Sequence, residues 1–149
     1  LLVLACAIAG CGPKVNSAEA AAAAMIQRVG GRFEFDQQNA EHRIIKVFLH
    51  ETKVTDADLE SLGGIANLQA LYLGRTAITD AGLAHLKGLR NLATLSLNNT
   101  AVSDQGLEHL SGLSRLKTLN LHETLVTAAG VAGLQQALPG VKIASAARK

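Results

Sequence analysis

Residues 68–83 read LQALYLGRTAITDAGL, and residues 92–107 read LATLSLNNTAVSDQGL, the same pattern displaced by 24 positions. The register extends both ways. Leu49, Leu73, Leu97 and Leu121 form one column, and Thr52, Thr76, Thr100 and Thr124 stand three residues later. Val54, Ile78, Val102 and Val126 follow, then Thr55, Thr79, Ser103 and Thr127, then Asp56, Asp80, Asp104 and, breaking the pattern, Ala128. Leu59, Leu83, Leu107 and Val131 continue the unit, with Leu62, Leu86, Leu110 and Leu134 after them. Ile65, Leu89 and Leu113 lead into Leu68, Leu92 and Leu116, which open the next units. A fixed period of this length marks stacked supersecondary units that share one continuous core.

Each column has a physical reading. Leu-x-Leu alternation makes a short strand with one face buried, and stacked units assemble these strands into a parallel sheet. The threonine column can satisfy backbone groups where the chain leaves the strand. Thr79 and Ser103 are suited to cap helices, with Asp80 and Asp104 placed to favour the positive end of the helix dipole. Leu83, Leu86 and Leu89 then face inward. Gly82, Gly106 and Gly130 each cost a helix about 1 kcal/mol against Ala, which close packing between neighbouring helices would explain. The last unit departs from the pattern: Ala137 replaces Leu, and Pro139-Gly140 precedes Val141-Lys142-Ile143, which reads as a closing strand and cap. Terminal repeats are expected to be atypical.

The unit L-x-x-L-x-L-x-x-T-x-[IV], as in Leu68, Leu71, Leu73, Thr76 and Ile78, resembles the leucine-rich-repeat family over residues 44–143. That family usually carries Asn or Cys where the threonines stand, and the TxVTDxGL form is similar to a variant found in bacterial repeat proteins. The resemblance implies an α/β solenoid with a short parallel sheet on the concave face and helices on the convex face.

The flanks are different. Leu1 to Gly10 reads LLVLACAIAG, uncharged and too short for the ~20 residues of a membrane span. An apolar run ending in small residues fits the core and cleavage site of a secretory signal. Ile8-Ala9-Gly10-Cys11 resembles the lipobox of bacterial lipoproteins, which implies cleavage before Cys11 and a lipid on its thiol. No Met and no basic segment precede Leu1, so the signal reads as partial. Gly12 stands where the family's inner-membrane retention signal has Asp, which leans toward the outer membrane. Acyl chains contribute ~0.8 kcal/mol per buried methylene, enough for stable anchoring.

After a tether (residues 11–16), residues 17–43 read as an N-terminal cap. Asn16 with Glu19 makes a capping-box start, and the alanine run from Ala20 to Ala24 favours helix. Ala18, Ala21, Ala22, Met25, Ile26 and Val29 share one side at helical spacing, and Gly30-Gly31 ends the helix. With Arg28 as its one cation, this helix suits the open end of a solenoid better than a membrane surface. Arg32-Phe33-Glu34-Phe35 and the stretch from Arg43 to Leu49 read as strands around a polar turn. Residues 144–149 read as a tail.

Composition narrows the function. Apolar residues make up 48% and aromatics 3%, and the formal charge of +2 carries no argument for nucleic acid. The two cysteines, Cys6 and Cys11, both lie in the first eleven residues, so the body has no disulfide and no cysteine metal site. His50-Glu51 and His122-Glu123 invite a metal reading, but they lie three repeats apart, roughly 14 Å at the strand spacing, whereas zinc ligands lie ~2 Å from one ion. His85 and His109 share a column on the helical side without a third ligand. Ser96, Ser103 and Ser111 have no histidine and carboxylate in triad arrangement, and Gly63-Gly64 is a unit junction and not a phosphate loop. No cofactor, metal or catalytic residue is expected.

What remains is a binding surface. With Val47 and Leu49 inward, the outward columns are Phe48, Tyr72, Ser96 and Asn120, beside His50, Gly74, Asn98 and His122, with Glu51, Arg75, Asn99 and Glu123 at the strand ends. Aromatics and Arg are common interface anchors. The expectation is a protein- or peptide-binding patch centred on Phe48, Tyr72, His50 and Arg75 and extended by Ser96, Asn98, Asn120 and His122. Two alternatives stand beside it. One is a structural or self-associating envelope protein, in which Phe48 is covered and Glu51–Arg75 is only a surface pair. The other is a metal-dependent or hydrolytic enzyme.

Overall fold

The computed structural model describes residues 16–38, 41 and 43–146; the signal segment, Cys11, most of the tether, His42 and the end of the tail lie outside them. Helix α1 (Ser17–Arg28) starts at Asn16, whose side chain accepts from the Glu19 backbone N–H while the Glu19 carboxylate accepts from the Asn16 N–H. Both halves of the expected capping box are therefore made. The chain leaves α1 through Gly30, at φ +83°, where a residue with a Cβ would be strained.

Strands β1 (Arg32–Phe35) and β2 (Ile44–Phe48) pair antiparallel, with Arg32 opposite Phe48 and Glu34 opposite Lys46. Strands β3 (Ala70–Tyr72), β4 (Thr94–Ser96), β5 (Thr118–Asn120) and β6 (Lys142–Ala144) then add in parallel, giving one six-stranded sheet in chain order. The parallel register advances by one repeat per strand: Val47, Leu71, Leu95, Leu119 and Ile143 are partners in turn. The pairing outruns the predicted closing strand. Leu121 N–H donates to Ala144 O, and Glu123 N–H to Ala146 O, so the start of the tail belongs to the ladder.

On the convex side the helical segments are brief. A 3₁₀ helix spans Asp56–Leu62, α2 (Asp80–Leu83) passes into a 3₁₀ turn at Ala84–Leu86, and α3 (Asp104–Glu108) has five residues. Only α4 (Ala128–Ala137), in the last unit, reaches ten. Between sheet and helices the leucine columns form one core: Leu49, Leu73 and Leu97, and Leu62, Leu86 and Leu110, have no solvent exposure. Each such side chain contributes roughly 1.5–3 kcal/mol by burial. Helix α1 closes the first end of this core with Ala22, Ala23, Met25 and Ile26; Ala23 takes the buried place expected of Ala21, which faces solvent. Among the described residues no helix is long and apolar enough to cross a membrane.

The polar columns bind the units together in two ways. Thr52, Thr76, Thr100 and Thr124 each donate their hydroxyl to the carbonyl three residues back, at 2.6–2.8 Å, closing the turn out of the strand. The aspartates reach between units. Asp56 accepts from both the N–H and the hydroxyl of Thr79, Asp80 does the same for Ser103, and Asp104 for Thr127. The capping expectation holds at Thr79, whose hydroxyl accepts from the Ala81 N–H, and is corrected at Ser103, whose side chain makes no cap bond to its own helix; Asp80 and Asp104 turn toward the following unit. The reach of the aspartates also explains the glycines. A Cβ on Gly82, Gly106 or Gly130 would meet Oδ1 of Asp56, Asp80 or Asp104 at 2.1–2.4 Å.

The ends of this staple are adapted. Thr55 has no aspartate before it; its N–H and hydroxyl go to Asp58, which occupies the glycine column of the first unit and pairs with Arg28 of α1. At the far end Ala128 stands where the column would offer another carboxylate.

Candidate functional site

The outward face of the sheet carries the predicted patch. In-register pairing lines up Arg32, Phe48, Tyr72, Ser96 and Asn120 across five strands. Arg32 is an addition: its place beside Phe48 follows from the antiparallel turn-back of β1, which the repeat pattern does not encode. Phe48 and Tyr72 stack face to face, with centroids 5.0 Å apart and planes 1° from parallel. That separation is close to the ~4.8 Å between strands, so the parallel ladder itself imposes the stack. Such a pair contributes about 0.5–1.5 kcal/mol beyond its burial. Both rings are half-buried and accessible; β1 flanks Phe48 without covering it.

Beside the rings lies an open hollow of about 280 Å³, bounded by His50, Tyr72, Gly74, Arg75, Ser96 and Asn98. The Asn98 amide forms part of its floor. It leans across Gly74, where a Cβ would lie 2.2 Å from its Oδ1, and it is held there by the Ser96 hydroxyl, which donates at 2.9 Å. His50 is exposed at the margin. Six of the eight predicted residues thus gather around the rings and the hollow. Asn120 and His122 stand outside it, one strand further on, where Asn120 Oδ1 accepts from the His122 N–H.

The third column holds a feature that sequence reasoning missed. Glu51, Arg75, Asn99 and Glu123 all adopt left-handed backbone, with φ between +55° and +59°. Asn tolerates this region, whereas Glu and Arg are strained in it. Asn99 is the one residue of the four whose type signals the turn. Of these, Glu51 and Arg75 border the hollow and pair with each other at 2.6 Å, and Asn99 donates to Glu123 at 2.7 Å further along the sheet. Both partners of the Glu51–Arg75 pair are more than half exposed, so its net worth is small. Among the described residues, no group of three or more His, Cys, Asp or Glu side chains could hold a metal ion.

The geometry decides the architecture: 24-residue units, each with one parallel strand, one turn closed by a threonine hydroxyl and one short helical segment. The fold is the leucine-rich-repeat solenoid. Solved structures of this class align with the chain. The leucine-rich-repeat ectodomain of the receptor kinase SOBIR1 from Arabidopsis thaliana matches at a TM-score of 0.53 and 12% identity, covering 91% of this chain and 94% of that one. Internalin C2 of Listeria monocytogenes matches at 31% identity and a TM-score of 0.49, covering 60% of this chain and 38% of the internalin. A second Listeria internalin, internalin F, matches at 23% identity and a TM-score of 0.45, covering 67% of this chain and 34% of its own. The leucine-rich-repeat chain thus spans well under half the length of either internalin. No family model matches it, and no curated protein does.

Proposed function

We propose that this chain is a non-catalytic module of the bacterial cell envelope that binds a protein or peptide on the outward face of its sheet. The observation that carries this reading is the stacked, accessible Phe48–Tyr72 pair beside the hollow at Gly74. Two rings held rigid by the ladder lose little entropy on binding, and aromatics beside Arg are the usual composition of an interface centre. Solenoids present extended surfaces of this kind to partners. The partner is a macromolecule other than nucleic acid, and no cofactor takes part.

The chain is held outside the cytoplasm by a lipid on Cys11, in the outer membrane by the lean of Gly12. Support for this is the Ile8-Ala9-Gly10-Cys11 motif, which lies outside the described residues. The self-associating alternative draws on Leu125, 52% exposed on the last unit.

The test is capture from envelope extract by the parent chain beside a Phe48→Ala/Tyr72→Ala variant of verified fold. Binding predicts one partner held by the parent and lost by the variant. Equal capture by both would overturn the site. Recovery of only the chain itself would move self-association ahead.

A further inference from the structure

The net charge of +2 conceals a division along the strand direction. Each unit has two rims: one where the chain leaves the strand for the helix, and one where it returns from the helix to the next strand. In the repeats the return rim comprises residues 61–70, 85–94, 109–118 and 133–142, which contain no Asp or Glu; at the first end of the sheet the β1–β2 turn, with Asp36 and Glu41, lies on the same edge. The repeats' return rim carries Lys87, Arg90, Arg115, Lys117 and Lys142, all exposed. Every acid of residues 47–132, eight in all from Glu51 to Glu123, lies on the exit rim and its helices, where that stretch supplies just two cations, Lys53 and Arg75. The ion pairs among the described residues engage Arg28, Arg43, Lys46 and Arg75, and none of Lys87, Arg90, Arg115, Lys117 and Lys142. The return rim is also hollowed, by a groove of about 940 Å³ that holds Arg115 and Lys117 and no carboxylate.

Helix α1 ties this rim to the N-terminus. Its first turn lies on the return rim, where Ala18 is packed so closely on Gly64 that an added Cβ would come within 2.8 Å. Its last turn lies at the exit rim, where Arg28 pairs with Asp58. Cys11 precedes Asn16 by five residues, a reach of at most about 18 Å. The proposed lipid is thus tethered through the end of α1 that lies on the return rim.

We infer that the return rim docks on an anionic lipid surface, with Lys87, Arg90, Arg115 and Lys117 toward the headgroups and the acidic rim away. This rests on the anchored reading above. It adds an orientation: the strands stand across the membrane plane and the Phe48–Tyr72 face stays open at the side. Basic residues near such a surface are attracted within about a Debye length, ~10 Å at 0.1 M salt.

The test uses the full chain carrying Cys11→Ser, so that no lipid contributes, co-sedimented with vesicles of equal parts phosphatidylglycerol and phosphatidylcholine or of phosphatidylcholine alone. Partition is expected to favour the anionic vesicles and to fall away near ~1 M salt. Arg115→Gln/Lys117→Gln is expected to lower it by roughly tenfold or more. Arg28→Gln/Lys53→Gln, which removes the same charge from the opposite rim, is expected to leave it within about twofold. Equal partition onto both vesicles, or equal loss in the two variants, would overturn the proposal. So would retention on a duplex oligonucleotide with none on vesicles, which would mark the rim as a nucleic-acid surface. The mass of the Cys11 peptide from cells tests the anchor separately: a rim that fails while Cys11 is lipidated leaves the anchor standing, and the converse overturns the anchor alone.

Discussion

Oδ1 of Asp80 occupies the space that a Cβ on Gly106 would need: the two would lie 2.3 Å apart. The carboxylate is held there by the N–H and hydroxyl of Ser103, so it cannot swing clear without giving up both bonds. Glycine and aspartate, one repeat apart, are therefore one device.

A mid-helix Gly→Ala exchange ordinarily stabilises by about 1 kcal/mol. Gly106→Ala is expected to do the opposite and cost roughly 1–3 kcal/mol, as overpacking does. In an Asp80→Ala background the same exchange is expected to lose most of that penalty. Urea unfolding of the four proteins closes the cycle. Additive effects would mean that the two positions do not communicate.

The staple also has a pH dependence. The hydroxyl and backbone N–H of Thr127 hold Asp104 below the usual carboxylate range, with burial opposing weakly. At Asp58 burial pushes upward, and the Thr55 hydrogen bonds and the Arg28 guanidinium together outweigh it, so its pKa is lowered too. A carboxylate depressed in the folded state contributes stability above its unfolded pKa, about 3.9. That contribution is lost as pH falls through the folded value. Stability is thus expected to drop from about pH 4 downward, and Asp104→Asn to flatten part of that slope. Thermal unfolding between neutral and acid pH measures it; an unchanged acid limb in the variant would contradict the assignment.

The left-handed column makes a prediction of opposite sign. Glu123 sits at φ +57°, a region costing an ordinary residue about 1–2 kcal/mol. Glu123→Gly removes that strain and loses part of the gain to the freer unfolded chain. The net expectation is a gain of about 0.5–1 kcal/mol, whereas Glu123→Val is expected to destabilise. Melting temperatures of the two variants should move apart; a loss in both would mean that the Asn99–Glu123 hydrogen bond outweighs the backbone strain.

The repeat period made the solenoid legible because each apolar column answers to one buried place, and Leu97 is as predictable as Leu73. The polar columns were only half legible. Thr76 bonds within its own unit, so its role could be read locally. Asp80 acts on Ser103 of the next unit, and only three dimensions show that Gly106 makes room for it. The rings of Phe48 and Tyr72 were legible as a pair because one period separates them by one strand. Arg32 was not, since β1 lies outside the period and its register depends on the turn. The charge division was present in the sequence throughout, but it becomes a surface only once the units are stacked.

The sheet-face reading is tested most directly by placing a photoreactive phenylalanine analogue at position 48 or 72, and at Glu108 on the convex side as a control, in cells that make the full chain. A discrete adduct to a second protein is expected from position 48 or 72 and none from 108. Adducts from 108 alone, or none from either sheet position, would contradict the sheet-face reading.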